Sequence, residues 1–183
     1  MSDFLENVDY IYKFNLVNGF NTVKTNLKSS SNFRDGVNHM IGYMRNLTND
    51  FTGVTAFEFR YNDDILNTAD VMVNSIKYEF KSWTPNIPNP WNSFFAGTNG
   101  SYSQFISYLQ NTNSISELKY IFNGTKASEA QVKQAFKELF IAKKSEIFGA
   151  MSAQLKTNLN ISSIEDLTDN KIELLINSLI KSL

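Results

Sequence analysis

Tyr78, Glu79, Phe80 and Lys81 place two aromatic rings on one side of an extended chain and two opposite charges on the other. A period of two is the signature of a strand with one buried face, and here it constrains the whole fold. Val71 and Val73 precede this run, and Asn74-Ser75 separates the halves, which predicts a hairpin over Asp70 to Ser82. A second alternating run, Val54 to Arg60, sets Thr55, Phe57 and Phe59 against Ala56, Glu58 and Arg60. It predicts another strand, with Tyr61 to Thr68 as a polar turn. Leu118 to Phe122, ending at Asn123-Gly124, predicts a fourth.

Around these strands the period becomes helical. The chain to about Asn49 reads as helices, with Val37, Met40, Ile41, Met44 and Leu47 along the segment Phe33 to Leu47. Ser101 to Asn111 predicts a helix between the hairpin and the fourth strand. A long helix begins at Ser128, with Gln131 at capping-box spacing and Val132, Phe136, Leu139, Phe140 and Ile147 inward. Ser162 and Glu165 repeat that spacing, and Lys171 to Leu183 reads as a closing amphipathic helix. Trp83 to Gly100 holds all three prolines with Trp91, Phe94 and Phe95, which predicts a loop with aromatic anchors. A helix between the hairpin and a later strand implies an α/β fold. The expected form is a central mixed four-stranded sheet flanked by helices, with extra N- and C-terminal helices. At 183 residues, 42% hydrophobic and 19% charged, one domain suffices. Its parts are N-terminal helices over 1–50, a core over 54–124 and C-terminal helices over 128–183.

Composition removes several chemistries. Without cysteine there is no disulfide, zinc-thiolate site or thiol nucleophile. The single histidine, His39, excludes a multi-histidine metal site, and on its helix it reads as structural. No apolar stretch is long enough to span a bilayer, so no membrane is expected. The N-terminal MSDFLENVDY has no signal-peptide pattern, so export would need another carrier; otherwise the chain is expected in the cytoplasm. A net charge of −1 argues against coating nucleic acid by charge alone, yet leaves room for local contact with a phosphate backbone.

The hairpin register carries the chemistry. With Asn74-Ser75 as the turn, Val73 lies opposite Ile76, Met72 opposite Lys77, Val71 opposite Tyr78, and Asp70 opposite Glu79. Directly opposed residues have Cβ atoms about 5 Å apart, where two carboxylates repel. Such a pair suits a divalent cation with oxygen ligands. Lys81 stands on the same face, able to stabilise phosphate charge or orient a water. A cation there would polarise a phosphodiester and lower the pKa of an attacking water.

Asp70 followed by Glu79-Phe80-Lys81 resembles the D…(D/E)-x-K signature of the PD-(D/E)xK, or restriction-endonuclease-like, nuclease superfamily. Gln104 and Tyr108 carry the Q-x-x-x-Y spacing that a subgroup places on the helix after the lysine strand, and they share one helical face. The resemblance spans Val54 to Gly124. It implies a restriction-endonuclease-like core and a DNase dependent on Mg2+ (or Mn2+). Asp70 and Glu79 would bind the metal, Lys81 would assist catalysis, and Gln104 and Tyr108 would support the site or contact the substrate strand. Ala69 stands where a proline often precedes the aspartate. The helix Phe33 to Leu47 lacks the glutamate that many members supply, leaving Asp35, His39 and the more distant Glu6 as the nearest substitutes. Glu58 is a further candidate metal ligand, although its place in an alternating strand reads as solvated. YEFKSW at Tyr78 to Trp83 and SELKYIFNG at Ser116 to Gly124 resemble nuclease toxin domains at the C-termini of bacterial polymorphic toxins. That implies delivery into a target bacterium's cytoplasm and a cognate immunity protein. The alternatives are a non-catalytic binding or immunity-type module on the same fold, and an RNase using the same site.

Smaller features have plainer readings. Trp83 and Trp91 could stack on bases, but such residues usually pin a loop to the core. Lys133, Lys137, Lys143 and Lys144 alternate with acids and read as a solvated face.

Overall fold

The computed structural model describes residues 2–29, 31–61, 64–81 and 101–182. Helices α1 (Ser2–Ile11), α2 (Phe20–Leu27) and α3 (Ser31–Asn46) come first. Strands β1 (Val54–Tyr61), β2 (Asp64–Val73) and β3 (Ile76–Lys81) follow, then helix α4 (Ser101–Gln110) and strand β4 (Leu118–Phe122). Helices α5 (Glu129–Ala142), α6 (Lys144–Ala150), α7 (Ala153–Asn158) and α8 (Asp169–Leu179) lead into β5 (Ile180–Ser182). The loop expected over 83–100, with Trp83 and Trp91, lies outside the described residues, as does Ser82.

The fold is α/β, with one mixed sheet in the order β1-β2-β3-β4-β5. The first three strands pair antiparallel, and β3, β4 and β5 run parallel. The β2/β3 turn forms where the Asn-Ser pair predicts it. Asn74 takes φ 55°, a left-handed conformation that asparagine tolerates and a tight hairpin turn requires. Val73 then pairs with Ile76, Met72 with Lys77 and Val71 with Tyr78, as the register count requires.

Alternation along the strands divides the interior in two. Phe57, Val71, Val73, Tyr78 and Phe80 pack with Met40, Ile41 and Met44 of α3 and with residues of α1 and α2. Leu118, Tyr120 and Phe122 pack instead with Phe105, Tyr108 and Leu109 of α4, Phe136 and Phe140 of α5, and Leu175 and Leu179 of α8. Paired residues share a face, and Glu79 pairs with Tyr120, so the charged side of β3 looks toward α4.

Four expectations change. The sheet has five strands, because the stripe of the last helix stops at Leu179 and Ile180 turns extended, at φ −102° and ψ 129°. There it pairs with Tyr120 and covers the open edge of β4. The polar segment Tyr61 to Thr68 is not simply a turn: Arg60 pairs with Thr68 and Tyr61 with Asp64. Ladder bonds join main-chain groups, so polar sequence carries them as well as apolar sequence does. The helix from Ser128 has the expected capping box, but it breaks at Lys143, at φ −115° and ψ 22°. At the later cap the acid is Asp166, not Glu165; its Oδ2 accepts from Ser162 N at 2.8 Å and Ser163 N at 2.9 Å.

Candidate active site

Glu79, Lys81, Gln104 and Tyr108 close a ring of hydrogen bonds between β3 and α4. Lys81 Nζ donates to Glu79 Oε1 at 2.6 Å and to Gln104 Oε1 at 3.1 Å. Gln104 Nε2 donates to the Tyr108 hydroxyl at 3.0 Å, and that hydroxyl donates to Glu79 Oε2 at 2.7 Å. Local geometry explains the closure. Residues two apart in a strand share a face, and residues four apart in a helix lie one turn apart. The apolar stripe of α4, including Phe105 and Leu109, seats the helix on the sheet and aims Gln104 and Tyr108 at the strand.

Asp70 joins from β2. The backbone ladder ends at Val71 and Tyr78, and one step beyond it the Asp70 carboxylate takes over. Its Oδ2 accepts from Phe80 N at 2.7 Å. The aspartate is thus tied to the same strand that carries Glu79 and Lys81.

Glu58 belongs to this group too. The pairs Phe57 with Val71 and Phe59 with Ala69 bracket it, placing it across from Asp70. It is half-buried, not the solvated residue that the alternation suggests. Its φ of 47° is one of three positive values at non-glycine residues among those described. A left-handed residue inside a strand is strained.

The electrostatics follow from crowding Glu79 and Asp70 around Lys81, with the Glu58 charge close enough to be felt by Asp70. Burial pushes the Asp70 carboxyl well above its ordinary range, and the charge of Glu79 pushes it further, against the pull of Lys81. Burial and then Glu79 raise Glu58 as well, with Arg60 pulling the other way. Burial works against the Lys81 ammonium, but Glu79 and Asp70 outweigh it and hold its pKa above the usual lysine value. Burial, followed by Glu79, keeps the Tyr108 phenol protonated and therefore a donor.

The donor set fits a hard divalent cation: carboxylate oxygens, no nitrogen or sulfur competitor, and mutual repulsion that a positive charge would relieve. Among the described residues, no group of three or more His, Cys, Asp or Glu side chains is placed to hold a metal ion. Mg2+ is commonly held by one or two carboxylates, with waters and substrate phosphates completing its shell, so Asp70 and Glu79 would be the residues to hold one here.

Two residues here escaped the sequence reading. Tyr120, beside Glu79, is fully buried, and its hydroxyl has no hydrogen-bond partner among the described residues. Lys77 is 1% exposed; its Nζ donates to Asn111 O at 2.9 Å and Thr112 Oγ1 at 3.3 Å. Burial lowers its pKa to about 8. The spacing of Lys77, Glu79 and Lys81 puts all three on one face, a signal that could have marked Lys77. His39 stands apart from the ring. It packs edge-on against Phe80, ring centroids 5.9 Å apart, on the opposite face of the sheet. Lys133 and Lys137 pair with Glu129 and Glu173, as a solvated face requires.

No helix among the described residues is long and apolar enough to cross a membrane. Compared with known proteins, the chain matches no family model, no curated protein and no solved structure.

Proposed function

We propose that this chain is a metal-dependent nuclease of the PD-(D/E)xK type that hydrolyses DNA phosphodiester bonds. What carries the reading is the closed ring of Glu79, Lys81, Gln104 and Tyr108, with Asp70 tied to the same strand. Residues 70, 79, 81, 104 and 108 come from two strands and a helix, and chance spacing would not draw them into one network. Asp70 and Glu79 would hold Mg2+ or Mn2+, with Glu58 as a further candidate ligand. The cation would supply Lewis-acid activation of the phosphodiester and of the attacking water. Lys81 supplies a positive charge for the phosphate, in surroundings where such a charge counts for more than in water. Gln104 orients the ammonium through its amide oxygen. Tyr108 fixes the carboxylate of Glu79, and the Phe80 amide fixes that of Asp70.

Plasmid DNA incubated with the protein in Mg2+, with and without EDTA, tests this. Wild type is expected to cut only without EDTA, and Glu79→Ala and Lys81→Ala not at all. Equal nicking by all three proteins would sink the assignment. A parallel RNA substrate separates a DNase from an RNase.

The toxin reading rests on the segments Tyr78 to Trp83 and Ser116 to Gly124. As such a domain the chain acts in a target bacterium's cytoplasm, and an immunity protein restrains it in the producer. Expression in unprotected cells is expected to be toxic, with toxicity lost on Lys81→Ala.

A further inference from the structure

The ring leaves Glu79 with both oxygens committed, Oε1 to Lys81 at 2.6 Å and Oε2 to Tyr108 at 2.7 Å. Lys81 is committed in turn, to Glu79 and to Gln104. Its ammonium also feels the charge of Asp70. Glu79 is 3% exposed, so bulk solvent does little to balance it. The positive charge set between these two carboxylates in the folded chain is therefore the lysine's own, and it offsets one of their two negative charges.

Building on the divalent-cation reading above, we propose that Lys81 is an internal counter-ion, which a divalent cation displaces from Glu79 toward the substrate phosphate. An ammonium and a hard cation want the same carboxylate oxygens. At close range two positive charges repel strongly, and the doubly charged one has more to gain from two carboxylates. Gln104 sets where the lysine goes. Its amide oxygen holds Lys81 while its nitrogen is tied to Tyr108, so the ammonium pivots about Gln104 and stays within the site. Until a cation arrives, Lys81 offsets part of the negative charge of the site, and it is released to meet an anionic substrate only once the cation is in place.

A counter-ion competes, whereas a supporting lysine does not, and cation affinity separates them without any cleavage assay. Mn2+ binding, followed by the electron paramagnetic resonance of free Mn2+, is expected to tighten by about tenfold in Lys81→Met. Unchanged or weaker binding overturns the proposal. Lys81→Met also removes a buried ion pair, so wild-type protein provides a second measurement. The Lys81 ammonium signal in nitrogen-15 NMR is expected to shift and lose exchange protection as Ca2+ is titrated to saturation. An unchanged signal at saturation overturns the proposal. Glu79→Gln separates this failure from failure of the underlying reading. If wild type and Glu79→Gln bind Mn2+ alike, or neither binds it, both the cation site and the counter-ion proposal fall. If only wild type binds, and Lys81→Met binds no more tightly, the counter-ion proposal falls by itself.

Discussion

The Tyr108 hydroxyl donates to Glu79 Oε2 at 2.7 Å, fastening helix α4 to strand β3 across 29 positions of sequence. Glu79 is 3% exposed, so no bulk water replaces that donor if it is lost. Leaving a buried acceptor unsatisfied costs on the order of 1–3 kcal/mol, more when the group is charged. Tyr108→Phe is therefore expected to lower the unfolding free energy by about that amount in urea titrations. Activity is expected to fall without vanishing, since Asp70, Glu79 and Lys81 all remain. Stability equal to wild type would mean that the bond does not hold the site.

Tyr120 makes the opposite prediction. Its hydroxyl is buried without a partner among the described residues, while its ring packs against Phe105, Phe122 and Phe136. Tyr120→Phe keeps those contacts and removes the unsatisfied group. Thermal denaturation is expected to show a gain on the order of 1 kcal/mol. A loss of similar size would show that the hydroxyl is satisfied in solution.

Buried Asp70 gives the cation-free protein a pH dependence whose sign follows from its raised carboxyl. In an unfolded chain its carboxyl ionises near pH ~4. In the fold, burial first and Glu79 second keep it protonated to higher pH. Its contribution to stability is then complete below the unfolded value and is lost as pH rises through the folded one. Glu58 is raised as well and acts in the same direction. Without divalent cations, the melting temperature of wild type is expected to fall relative to Asp70→Asn as pH rises above the unfolded value of about 4. Adding Mg2+ is expected to restore it. A constant difference between the two proteins across that range would contradict the account.

Glu58 is the strained member, at φ 47°. Left-handed backbone costs a residue with a Cβ about 1–2 kcal/mol, and glycine avoids that cost. Glycine is ordinarily worse than alanine inside a strand. Here Glu58→Gly is expected to be more stable than Glu58→Ala by about 0.5–1 kcal/mol, after allowing for glycine's larger entropy loss. The ordinary order, alanine above glycine, would show that the strain is absent.

Much of this was legible because strands and hairpins write themselves locally. The alternation from Tyr78 to Lys81 and the Asn74-Ser75 turn fixed the β2/β3 register, and that register set which side of β3 carries charge. The four-residue spacing of Gln104 and Tyr108 was legible for the same reason. What could not be read depends on partners distant in sequence. Ile180 becomes strand because β4 offers an open edge at Tyr120, and nothing near Ile180 announces it. Glu58 looks solvated because alternation assumes extended backbone throughout, and its left-handed φ breaks that assumption. Lys77 is buried because Asn111 and Thr112, far along the chain, supply its acceptors.

The ring around Glu79 is proposed as a divalent-cation nuclease site. The rate of duplex DNA cleavage against Mg2+ concentration, for wild type and Glu79→Gln, tests it most directly. The two proteins are compared at a temperature where both are shown to be folded. Wild type is expected to show a saturable Mg2+ dependence, and Glu79→Gln a rate lower by at least about a hundredfold at every concentration. Cleavage that ignores Mg2+, or that survives the substitution, would contradict it.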